Sequence, residues 1–83
     1  MSTEKQEQLF FYFMPALLTT LLTLENEKGS PLTKEEVHYA RDTAIAMMVS
    51  RDRYERLEKA RGVQDLDPKK VWEEWQEYKV YNG

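Results

Sequence analysis

The stretch Leu9–Leu24, LFFYFMPALLTTLLTL, decides how the rest of the chain is read. Its sixteen residues carry no charge, and Pro15 stands in its middle. As a helix, sixteen residues rise only about 24 Å, short of the ~30 Å hydrocarbon core of a bilayer. Three threonines weaken a membrane reading further. The flanks, Glu4, Lys5 and Glu7 before and Glu25, Glu27 and Lys28 after, supply no positive-inside bias. An acidic start followed by no small-residue cleavage site does not read as a signal peptide. The run reads instead as a helix over about residues 3–26, kinked or restarted at Pro15, because proline pushes Met14 away from the α region. Leu9–Leu18 would then be apolar around almost the whole wheel, and such a helix has to be covered on more than one side.

The remaining chain is small for that task. At 83 residues and 9.9 kDa it makes one domain, residues 1–83. A folded monomer of this mass buries only about 64 % of its chain surface. A second chain, most simply a twofold copy, is therefore expected to cover the first helix. The expected interface is Phe10, Phe11, Phe13, Met14, Leu17, Leu18 and Leu21. Phe11 and Leu18, seven residues apart, would share one stripe of the seam.

Downstream, the helix signals are cleaner. In SPLTKEEV, Thr33 is a good N-cap, Glu36 at N3 completes a capping box, and Leu32 with Val37 forms a hydrophobic staple. Val37, Ala40, Ala44 and Met47/Met48 recur at intervals of three and four, which predicts a helix to about Val49. Ser50 caps a further helix, on which Tyr54, Leu57 and Ala60 share a face and which Gly62 stops. One unbroken helix over 34–61 is the alternative to two helices with a bend near Ser50. Asp67 then caps a last helix with Pro68 at N1, and Val71, Trp72, Trp75 and Tyr78 form its apolar stripe. No window alternates with period two over a strand length. The expected architecture is all-α: a dimeric small bundle of helices near 3–26, 34–49, 51–61 and 68–80.

Composition narrows the chemistry. There is no cysteine, hence no disulfide and no thiolate metal site. The formal net charge of −3, spread as −2, +1 and −2 over residues 1–30, 31–63 and 64–83, exerts no strong pull on nucleic acid or an anionic membrane. Glu35 and the single histidine, His38, have E-x-x-H spacing with Asp42 one turn on, half of a di-iron carboxylate pattern. One histidine cannot complete that pattern within a chain, and an exposed His38 paired with Asp42 is the plainer account. A serine nucleophile would have to be Ser2, Ser30 or Ser50, the last two of which read as turn and cap residues. Glu73 and Glu74 fall on a solvated face. No enzyme activity, cofactor or metal is expected, and the chain is expected to act in the cytoplasm without a membrane.

Residues 36–59 can also be laid on a helix-turn-helix, with Ala44 at its small-residue position and Arg51, Arg53 and Arg56 offered to DNA. Met48 stands where that turn favours glycine, Asp52 and Glu55 would face the DNA, and the pI near 5.2 lacks a basic footprint. Association with itself or with another protein is the leading functional expectation, and DNA binding the alternative.

Four segments, GSPLTKEEV (Gly29–Val37), RDTAIAMM (Arg41–Met48), RGVQDLDP (Arg61–Pro68) and WEEW (Trp72–Trp75), resemble a family of small uncharacterised bacterial α-helical proteins. The resemblance spans about residues 29–75. It implies a shared helical fold and a bacterial cytoplasmic source, and carries no activity.

Overall fold

A computed structural model describes residues 8–62 and 64–82. Strand β1 (Leu9–Phe13) is followed by helices α1 (Leu17–Lys28) and α2 (Lys34–Thr43), strand β2 (Ala46–Ser50) and helix α3 (Arg51–Arg61). A 3-10 turn (Pro68–Lys70) then leads into helix α4 (Val71–Asn82). The two strands pair antiparallel, with Leu9 opposite Ser50, Phe11 opposite Met48 and Phe13 opposite Ala46. The fold is therefore mixed, four helices around a two-stranded sheet, and the all-α bundle is overturned.

The first correction falls on the expected helix over 3–26. Its residues 3–7 lie outside the described residues, 9–13 are strand, and only from Leu17 is the run helical. Four consecutive aromatic residues favour a pleated backbone, and the residue before proline favours extended geometry, so Met14 suits a strand end. The alternation that betrays a strand is missing because both faces of β1 are apolar. Pro15 then turns the chain into α1.

The second correction falls on 34–49. Helix α2 stops at Thr43, whose hydroxyl donates back to the Tyr39 carbonyl at 2.8 Å. Met47 and Met48, placed on a helical stripe by their spacing, belong instead to β2. Helical spacing in AIAMMVS is a local signal, and its long-range pairing with LFFYF overrides it. Helix α3 spans the expected 51–61. The last helix is preceded by the 3-10 turn and ends at Asn82.

The caps are built as their chemistry requires. Thr33 Oγ1 accepts from the Glu36 amide at 3.1 Å, and Glu36 Oε1 accepts from the Thr33 amide at 2.8 Å. Ser50 accepts from Arg53 N and Asp67 from Lys69 N. Gly29 and Gly62 end α1 and α3 at φ 78° and 85°, a left-handed conformation that other residues adopt only with strain.

Helices α1, α2 and α4 gather at the Phe13–Ala46 end of the sheet. Leu17, Leu21 and Val37 are fully buried there, and Val71 and Trp75 nearly so. The Trp75 and Tyr78 rings stack with centroids 6.2 Å apart. Helix α3 covers the opposite face, on which Phe10 stacks against Tyr54 with centroids 5.4 Å apart.

Candidate functional site

The pleat sorts the side chains of the sheet. Phe10, Tyr12, Met47 and Val49 face α3, and Tyr12 and Val49 are buried beneath it. Leu9, Phe11, Phe13, Ala46 and Met48 share the other face. The helical cluster reaches Phe13 and Ala46 and no further. Beyond it Phe11 is 52 % exposed and Met48, directly opposite, 57 %. Leu9 is exposed beside them, whereas Met14 and Ile45 are exposed beyond the Phe13–Ala46 pair and Met47 on the α3 side. Leu9, Phe11 and Met48 present on the order of 100 Å² each, together roughly 300 Å², the lower end for the largest apolar patch of an ordinary monomer.

The expected interface residues divide between core and surface. Phe13, Leu17 and Leu21 meet in the core of the single chain, and Leu18 packs against it. Phe10 is half-buried under α3, while Phe11 and Met14 are exposed. Phe11 and Leu18 therefore cannot share a helical seam, because one is on β1 and the other on α1. Leu9, Ile45, Met47 and Met48 were missed as surface. The available signal was a second charge-free segment, residues 44–50, able to pair with the first.

An ionic cluster, also unforeseen, closes one side of the sheet. The Asp65 carboxylate accepts from the Leu17 and Leu18 amides at 2.8 and 2.9 Å, so it caps α1 from 47 to 48 residues away. Arg61 Nη1 lies 3.7 Å from Asp65 Oδ2, Arg61 Nη2 donates to the Phe13 carbonyl, and the guanidinium sits 4.1 Å over the Tyr12 ring. Both side chains are largely buried. Nothing in Arg61–Asp65 taken as sequence points to a helix start so distant in the chain. Nearby, burial pushes the Tyr54 hydroxyl up to about 12, with help from the adjacent Glu58 carboxylate.

A groove of about 470 Å³ runs between Leu9–Phe11 and the 64–69 segment. Its carboxylates already hold backbone. Asp65 caps α1, Asp67 takes the Lys69 amide at 2.9 Å, and Glu74 takes the Asp67 amide at 2.8 Å. Among the described residues that line this groove, each carboxylate is therefore engaged by a backbone amide and not presented in pairs to free space.

The alternative DNA contacts lie on α3. Arg51 stands 5.7 Å from the Phe10 ring centroid, Arg56 pairs with Asp52 at 3.4 Å, and Arg53 is exposed. Segment 36–59 is helix–strand–helix, with β2 where a helix-turn-helix has its short turn. Among the described residues, no group of three His, Asp or Glu side chains is arranged to hold a metal ion. Among the same residues, no helix is long and apolar enough to cross a membrane. No protein-family model, curated protein or solved structure matches the chain.

Proposed function

We propose that this protein is a non-enzymatic association module that works as a homodimer, burying the exposed end of its sheet. The observation that carries the reading is the adjacency of Phe11 and Met48, paired across the sheet and both more than half exposed. The helix that sequence reasoning placed at the interface is replaced in this role by the strands, since Leu17 and Leu21 are spent on the core. Charge favours the same location: Gln8–Leu24 and Ala44–Ser50 contain no Asp, Glu, Lys, Arg or His, so these segments of two copies can meet without opposing like charges.

Sedimentation equilibrium across the micromolar range tests this. The wild-type chain is expected at twice 9.9 kDa, and Phe11→Asp as a folded monomer. Because Phe11 is surface in the single chain, the variant should keep its circular dichroism. A wild-type chain that stays monomeric at every concentration would reject the reading.

A further inference from the structure

The phase of the β ladder shows which backbone groups face outward. The Met14 amide donates to the Ile45 carbonyl at 3.1 Å. With Tyr12 opposite Met47 and Phe10 opposite Val49, those residues bond inward across the ladder. The N–H and C=O groups of Leu9, Phe11 and Phe13 on β1, and of Ala46, Met48 and Ser50 on β2, therefore point away from the partner strand.

The two edges are treated differently. On β1, Arg61 occupies the Phe13 carbonyl, and the 64–69 segment flanks Leu9 and Phe11 across the groove. On β2, AMMVS has no charge, proline or glycine to deter pairing, and Met47 and Met48 are exposed along it. Natural proteins normally guard an edge of this kind, and among the described residues no backbone hydrogen bond to the outward side of β2 is found.

We propose that two copies pair antiparallel along β2, with Met48 of each opposite itself on the twofold axis. The product is a four-stranded sheet in the order β1-β2-β2-β1. This proposal rests on the homodimer reading above and moves the contact to the β2 edge, with Met48 shared between the two. The occupant is a second copy because AMMVS carries no charge, so two identical edges meet about Met48 without opposing like charges. That register sets Ala46 opposite Ser50 and the outward amide of Met48 opposite its counterpart's carbonyl. Two Met48 side chains then meet on the open face, between two Phe11 rings, so the edge is paired and Met48 gains an apolar neighbour. The assembly closes at two copies, because each outer edge is a β1 edge already occupied by Arg61 and the 64–69 segment.

Amide hydrogen exchange by NMR on the full wild-type chain tests the pairing without any variant. In the dimer the Met48 amide should exchange at least tenfold more slowly than in dilute monomer, while the Met47 and Val49 amides, bonded to β1, are protected in both. Met48→Pro, read against Met48→Ala so that loss of the side chain is accounted for, removes an outward donor, which an edge strand tolerates. It should yield a folded monomer in sedimentation. A wild-type dimer whose Met48 amide exchanges as fast as in the monomer overturns edge pairing and leaves face-to-face association standing. A folded Met48→Pro chain that still dimerises does the same. A wild-type chain that never dimerises overturns both.

Discussion

Phe13 and Phe11 are two residues apart on one strand and one face, with ring centroids 6.1 Å apart, yet one is 6 % exposed and the other 52 %. Their partners differ in the same sense: Ala46 packs against the core and Met48 lies open. Hydrophobicity does not separate the two ends of this sheet. What separates them is the reach of α1, α2 and α4, which cover one end and stop. A strand of five residues spans about 17 Å, more than one layer of helices covers from a single end. The uncovered end is where apolar surface is left exposed.

The sharpest test of this contrast pairs Trp75→Ala with Phe11→Ala under dilute conditions. Trp75 is 1 % exposed at the helical end, and its truncation should cost about 3–5 kcal/mol. Phe11→Ala should stay within about 0.5 kcal/mol in the monomer. Urea midpoints measured side by side check both, and comparable losses would mean that the two ends are equally part of the core.

A step smaller is Asp65→Ala, which leaves Arg61 buried without its carboxylate and the Leu17 and Leu18 amides without an acceptor. A loss of about 3 kcal/mol is expected, at the lower end for a broken buried pair because the ion contact is long. Hydrogen exchange should show the first turn of α1 opening before α2. A uniform loss across the chain would contradict the capping role.

Thr33→Ala, on the helical side and away from the sheet, should cost about 1 kcal/mol by removing the acceptor for the Glu36 amide. The mass in sedimentation should be that of the wild type. A midpoint within error of the wild type would remove the capping box from the stability of α2.

The smallest effects are in pH. The Lys28 ammonium, 2.6 Å away, and the Thr33 amide hold the Glu36 carboxyl below its usual 4.5. Its contribution is present above that value and fades as pH falls through the lowered folded value. Tyr54 behaves in the opposite sense. With its folded value raised to about 12, the unfolded chain ionises first, and stability declines between pH 10 and 12. Denaturation midpoints at acid and alkaline pH, compared for wild type, Glu36→Gln and Tyr54→Phe, separate the two groups.

Much of the helical end was legible in the chain. Thr33, Glu36, Leu32 and Val37 announce a helix start within eight residues, Ser50 and Gly62 bracket α3, and Asp67-Pro68 opens the last helical segment. The sheet was not legible. Phe10 and Tyr12 meet α3 while Phe13 meets the core, so an apolar residue stands at every position and no alternation survives. Met47 and Met48 complete a helical spacing with Val37 and Ala44 that the chain does not use. The Arg61–Asp65 cluster was equally hidden, its partners being 47 to 48 residues away.

The sequence by itself determined the helix starts at Lys34 and Arg51 and the stop at Gly62, where caps are local, the absence of cysteine, the acidic net charge, and the concentration of uncharged residues in Leu9–Leu24 and Ala44–Ser50. Caps and charges act within a turn or two of chain, so neighbouring residues suffice to reveal them. Only the tertiary structure decided that the uncharged run divides at Pro15 into strand and helix, that its first half pairs with Ala46–Ser50, and which apolar side chains stay at the surface. Strand pairing and burial depend on residues brought together from opposite halves of the chain, and no local pattern encodes that partnership.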